Sequence, residues 1–267
     1  MKRKQTVSIV ALTLLGLVPL TMIGITGCSD RERITAEPSL WVASPVGLSK
    51  EDGEEGDWND NATRTYEVTI ENLTTGQPFS PGVVATHTKM VRVFQVGAYA
   101  SEGVRLIAEE GDPTVAQAAL AHQEGIFEVI ATSAPVHRIG GPGSNSLTLR
   151  INARSNANRL SLATMIICTN DGFTGLDGVK LPGGFKPKVF YSAAYDAGTE
   201  SNDELSTSIV DPCGAIGPVS MPPDGDHRTT THDVIMHHPG IQGGHSLNPT
   251  LHGWENPVAR ITVQRVK

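Results

Sequence analysis

The sequence predicts an all-β fold, an antiparallel β-sandwich, on three observations. Short runs of alternating apolar and polar residues recur along the chain. Turn clusters such as Gly140-Gly141-Pro142-Gly143 and Leu181-Pro182-Gly183-Gly184 separate them. Helical patterns do not alternate with the strands, which argues against a parallel sheet built from βαβ units. Composition agrees: 39% hydrophobic and 18% charged residues in 267 can build a core, and 28 Gly with 17 Pro imply many turns without low complexity.

The chain opens with Lys2, Arg3 and Lys4, followed by an uncharged apolar run over residues 7–24, the pattern of a secretory leader. Ile25-Thr26-Gly27-Cys28 closes it and resembles a bacterial lipobox, so residues 1–27 are expected to be removed and Cys28 lipidated. The alternative is an uncleaved membrane anchor; either way the remainder lies outside the cytoplasm. Ser29 after the cysteine points to an outer-membrane or cell-surface address if the cell has two membranes. Residues 28–64 carry the acidic stretch Glu51-Asp52-Gly53-Glu54-Glu55-Gly56-Asp57 and almost no apolar period, and read as a flexible tether to a domain spanning 65–267. The net charge of −7 excludes a basic nucleic-acid-binding face as the basis of function.

Within the domain, Tyr66-Glu67-Val68-Thr69-Ile70-Glu71 alternates strictly and predicts a half-buried strand. Further strands are expected at 91–96, 126–130, 146–152, 159–167, 189–191 and 258–266. Residues 103–110 and 114–122, rich in Ala, Leu and Glu, predict two short helices in one long connection between strands, with Asp112-Pro113-Thr114 as the break between them.

Two stretches offer hard oxygen ligands. Cys168-Thr169-Asn170-Asp171-Gly172-Phe173-Thr174-Gly175-Leu176-Asp177-Gly178 reads as a loop whose carboxylates and glycines suit Ca²⁺ better than a soft metal, although it is not an EF-hand. Asp196-Ala197-Gly198-Thr199-Glu200-Ser201-Asn202-Asp203-Glu204 is the second; the same residue types also simply make turns. A competing constellation lies nearer the C-terminus. His232, His237, His238, His245 and His252, with Asp224, Asp226 or Asp233, offer ligands for a zinc hydrolase, without an HExxH spacing. Serine chemistry lacks a G-x-S-x-G motif, and Ser144 sits in a glycine turn with no identifiable base. Once Cys28 is lipidated, Cys168 and Cys213 remain, either paired in an oxidising compartment or with Cys168 a buried free thiol.

Four segments in order, Tyr66-Glu67-Val68-Thr69-Ile70-Glu71-Asn72-Leu73-Thr74, Thr169-Asn170-Asp171-Gly172-Phe173-Thr174-Gly175-Leu176-Asp177, Tyr195-Asp196-Ala197-Gly198-Thr199-Glu200 and Asn256-Pro257-Val258-Ala259-Arg260-Ile261-Thr262-Val263, resemble the spondin domain family, the domain type of F-spondin and mindin. The resemblance implies a C2-like β-sandwich with one bound Ca²⁺, acting in adhesion or surface interaction with a protein or glycan rather than in catalysis. It places family ligands on Asp171 and Asp196. An ungapped count puts the third, a family glutamate, on Asn152, where a neutral amide replaces a carboxylate and Asp177 or Glu200 is the natural compensation. Calcium affinity in the weak extracellular range follows.

Overall fold

The computed structural model describes residues 62–222 and 227–267. The leader, Cys28, nearly all of the tether, Asp224 and Asp226 lie outside the described residues. Along the chain come β1 (Arg64–Asn72), β2 (Phe79–His87), α1 (Glu102–Glu110), α2 (Thr114–Ala121), β3 (Ile126–Ala131), β4 (Ser146–Ala153), β5 (Arg159–Ile166), β6 (Gly172–Lys180), β7 (Lys188–Ser192), β8 (Ala194–Asp196), α3 (Pro212–Ile216), β9 (Met236–His237), α4 (Pro249–His252) and β10 (Ala259–Arg265).

These strands form two antiparallel sheets, one of order β4-β1-β10-β7 and one of order β3-β2-β5-β6-β8-β9. The first keeps one face in solvent. There β1 buries every second residue, and its outward Glu71 meets Arg260 of β10 at 2.5 Å. Its inward Tyr66, Val68, Ile70, Ile151, Ile261 and Val263 pack against Phe79, Val84, Leu160, Leu162, Ile166 and Leu176 of the second sheet. Burial of these side chains from both sheets is the sandwich core, and at ~25 cal/mol per Å² of apolar surface it is the dominant favourable contribution to folding.

The second sheet is covered on both faces. Val83, Ala85, Ala163, Phe173 and Tyr195 on its outer side meet Val104, Ile107 and Ala108 of α1 and Ala116 and Leu120 of α2. The two helices lie close to their expected bounds. Ser101 Oγ accepts from Val104 N at 3.3 Å to cap α1, and Gly111, with φ of 66°, ends it in the left-handed conformation.

Double coverage adds one strand that the sequence pattern does not predict and corrects two expectations. Residues 79–87 carry no alternation because both faces of β2 are buried, and Pro81 sits where the β2–β5 register shifts, a position at which its missing N–H is tolerated. Residues 91–96 form no strand: Val93 and Phe94 plug the outer face, Phe94 lying edge-on to Phe173 at 5.0 Å and 5.3 Å from Tyr195. Residues 172–178 are strand β6 rather than loop, so the turn that carries Asp171 is only residues 167–171.

Candidate metal centre

The turn from β5 into β6 is held by local hydrogen bonds. Gln77 Nε2 donates to Cys168 O at 3.1 Å, and Cys168 N donates to Gln77 Oε1 at 2.9 Å. Thr169 Oγ1 donates to Ile166 O at 2.6 Å and accepts from Gly172 N at 2.9 Å. Asp171 leaves this turn fully buried. Antiparallel pairing then sets Gly172 opposite Asp196 and Phe173 opposite Tyr195, whose rings lie 5.5 Å apart. Ala197 N donates to Asp171 O at 3.1 Å, so Asp171 and Asp196 are one step apart in register across β6 and β8.

Their carboxylates differ in environment. Asp171 Oδ2 accepts from Thr199 N at 2.7 Å, Thr199 Oγ1 at 3.2 Å and Glu200 N at 3.0 Å. Asp171 Oδ1 is buried with no hydrogen-bond partner. Burial first, and the Asp196 charge second, push the Asp171 carboxyl up to about 6 against those three hydrogen bonds. Asp196 Oδ1 accepts from Gly198 N at 2.8 Å and Oδ2 from Asn202 Nδ2 at 2.6 Å. Gly198 is required there: its φ is 72°, and a Cβ would sit 2.5 Å from Asp233 O. A cavity of about 260 Å³ opens beside this loop, lined by Asp196, Glu200, Asn202 and Asp233 among others.

Glu200 braces the pair. Its Oε1 accepts from Asn170 Nδ2 at 3.1 Å, its Oε2 faces Arg228 Nε at 3.9 Å, and burial pushes its carboxyl up to about 7. Asn170 also donates to Asp203 Oδ1 at 3.1 Å and accepts from Glu204 N at 3.2 Å, clamping the β6 turn to the 200–204 loop. Glu204 in turn accepts from Gln242 N at 2.6 Å and Gly243 N at 2.7 Å. Sequence reasoning did not assign roles to Asn170 or Glu204. The Asn-Asp-Gly triplet at 170–172 is a visible turn signal for Asn170, but nothing local marks Glu204, whose partners are 38 and 39 residues away.

Asp171 thus lies within electrostatic reach of Asp196 and of Glu200, whereas Asn152 and Asp177 lie elsewhere. Asn152 lies on β4 in the other sheet, where its Oδ1 accepts from Thr65 Oγ1 at 2.8 Å and its main-chain O from Thr86 Oγ1 at 2.6 Å. Thr86 pairs with Leu160 at the start of β5, while Asp171 follows the far end of that strand, so the length of β5 separates the two. An ungapped count fails because the chain changes sheets between β4 and β5. Asp177, well along β6, is 2.5 Å from Arg92 Nη1. Among the described residues no three His, Cys, Asp or Glu side chains converge to hold a metal ion.

The histidines are dispersed. His232, His237 and His245 are exposed, His237 stacking at 5.2 Å on Tyr195. His238, the next residue, points the other way into a buried site with Trp254 at 5.0 Å. Its Nδ1 accepts from Gly240 N at 3.0 Å, and Nδ1 of buried His252 accepts from Asn248 N at 3.0 Å. In each neutral ring the proton therefore sits on Nε2, which then offers no lone pair to zinc. Burial pushes His238 down to about 4, against the pull of Asp196 and Glu204. Asp233 is exposed at the cavity rim.

Cys168 and Cys213 form a disulfide with Cα atoms 5.1 Å apart. Among the described residues no helix is long and apolar enough to cross a membrane. A search of curated proteins finds no match to the chain. The Spondin_N family model matches residues 55–210, from within the segment read as tether through β8 and the 196–204 loop; the closing strand β10 lies beyond the match. With more than half of the chain covered and both Asp171 and Asp196 inside the matched residues, the chain belongs to the Spondin_N family of extracellular β-domains.

Proposed function

We propose that this chain is a lipid-anchored, extracytoplasmic, calcium-binding β-sandwich module that serves adhesion or surface interaction with a protein or glycan. One observation carries the calcium reading: a fully buried carboxylate, Asp171, keeps an unpartnered oxygen beside a second buried carboxylate, Asp196. Two such charges repel, and a hard cation relieves the repulsion. Asp171 Oδ1 and Asp196 would hold the ion, with main-chain carbonyls and water completing an oxygen shell; Glu200 and Asn170 position the two loops. When bound, calcium supplies charge neutralisation that locks the β6 turn onto the 196–204 loop. Adhesion rests on family membership and on a site that orders loops at one end of the sandwich.

Calcium at 100 times its dissociation constant is expected to stabilise the fold by about 2.7 kcal/mol, seen as a rise in melting temperature. Asp196→Asn should remove most of that rise. A wild-type melting temperature that does not respond to millimolar calcium after chelation sinks the reading. The anchor is tested separately. Cys28→Ala is expected to release the protein from the membrane fraction, because stable attachment needs the acyl chains carried on that cysteine. An unchanged fractionation and mass would refute the anchor alone.

A further inference from the structure

A second site lies at the opposite end of β5. There the chain leaves β2 through Thr88 and Lys89, β5 begins at Arg159, and β6 passes through Gly178. Lys89, Arg92, Arg159 and Gly178, with Val91, line a cavity of about 190 Å³. Three cations thus reach one concavity from two segments, Lys89 and Arg92 from the one after β2 and Arg159 from the start of β5, in a chain whose net charge is −7. Asp177 is the carboxylate in contact with them, 2.5 Å from Arg92 Nη1. Among the described residues, Lys89 and Arg159 form no ion pair with a carboxylate. The nearest bond of Arg159 is a long one, Nη1 to Gly178 O at 3.4 Å.

The Gly178 side of this cavity is held in place by buried groups behind it. Buried His87 donates from Nδ1 to Thr88 O at 2.8 Å and accepts at Nε2 from Ser161 Oγ at 2.8 Å. Ser161 Oγ itself accepts from Gly178 N at 2.8 Å. This fixes Gly178, whose φ is 63°; a Cβ there would stand 3.6 Å from His87 Cε1 and 3.8 Å from Arg92 Nη1. A side chain at 178 would project toward Arg92, which lines the cavity.

We infer that Lys89, Arg92 and Arg159 form an anion site that takes a tetrahedral oxyanion, a sulfate or phosphate group, either free or carried as an ester on a saccharide. Guanidinium groups present paired donors to such oxygens and an ammonium adds a point charge. Two guanidinium groups and an ammonium together offer more donors than one planar carboxylate can accept, and a tetrahedral oxyanion has the oxygens to take them. Low-dielectric walls concentrate the positive field of a concave site. The site shares no residue with Asp171, Asp196 or Glu200, so it operates without calcium and stands apart from the function proposed above.

The test is a calorimetric titration of the protein in EDTA at low ionic strength with inorganic sulfate, inorganic phosphate, glucose 6-sulfate and glucose. Saturable binding of a sulfate or phosphate probe, at least tenfold tighter than glucose, is expected. The charge-removing pair Lys89→Gln and Arg159→Gln should weaken it at least tenfold. Arg150→Gln with Arg260→Gln, the same charge change on the outer face of the first sheet, should leave it unchanged. Tighter binding of glucose 6-sulfate than of the free ions assigns the site to a carried ester; equal binding assigns it to the free ion. Absence of saturable binding to any anionic probe overturns the inference, as does equal weakening by both double variants. Should the Arg159 change unfold the protein, exposed Lys89→Gln alone must still weaken binding severalfold or the inference fails.

Discussion

Replacing Cys168 and Cys213 together by alanine is expected to destabilise the domain by about 4 kcal/mol, the chain-entropy value for a closed loop of 45 residues. The bond has structural company that should preserve much of this. Both cysteines are buried, in a small apolar cluster with Met165, Ile167, Ile209, Ile241 and Leu247. Cys213 belongs to the five-residue helix α3, in a stretch from 205 to 222 that contributes no strand to either sheet. The disulfide is the covalent link between that stretch and the end of β5. Urea unfolding of the double variant against the oxidised protein measures the effect. A loss below ~1 kcal/mol, or reactive thiols at both positions in unreduced, denatured protein, would contradict it. Cys168 is three residues from Asp171, so the same variant should also weaken calcium binding.

The metal-free protein should lose stability between about pH 4 and pH 6 through Asp171. The folded carboxyl, pushed up to about 6, keeps its proton over a range where the unfolded one has released it. More protons bound in the folded state means that stability falls as pH rises through this window, by on the order of 3 kcal/mol in all. Glu200, pushed up to about 7, extends the same trend. His238 opposes it. Pushed down to about 4, it contributes stability that is lost as pH falls below the ordinary histidine range. The Asp171 share separates by mutation: Asp171→Asn keeps an oxygen for the Thr199 and Glu200 amides but has no proton to exchange, so the histidine-driven loss at low pH and the Glu200 loss toward pH 7 should remain while the Asp171 loss disappears. Near pH 8 without metal, this variant should be more stable than the wild type by roughly 2–3 kcal/mol. Chemical denaturation at pH 5 and pH 8, in EDTA and in excess calcium, reads all of this. An Asp171→Asn protein no more stable than wild type at pH 8 in EDTA would refute the buried-charge account.

Much of the fold was open to local reading. A strand with one wet face leaves a period of two in the chain, so β1, β4 and β10 are visible from Tyr66, Leu147 and Ile261 outward. The helices are visible from Ala, Leu and Glu content and from the Asp112-Pro113-Thr114 break between them. The two carboxylates of the candidate site were also visible, because Asp171 and Asp196 sit in oxygen-rich turns at the ends of strands. What remained hidden shares one cause. Strand β2 is covered on both faces and so carries no period, and glycine-rich β6 looks like a loop until its neighbours β5 and β8 hold it straight. Residues 91–96 alternate for packing against helices and aromatic rings, not for pairing.

By itself the sequence determined the leader pattern, the all-β class, the acidic balance and the residue types available to bind a hard cation, since each is a property of composition or of neighbours along the chain. Only the tertiary structure decided which carboxylates meet. Pairing Gly172 with Asp196 sets Asp171 beside Asp196, while the change of sheet after β4 carries Asn152 to the far end of β5, where Asp177 also lies against Arg92. The same long-range pairing gathers Lys89, Arg92 and Arg159 around one cavity. Distances between ligands depend on strand register across tens of residues, and a one-residue slip would turn every side chain of a strand to the other face.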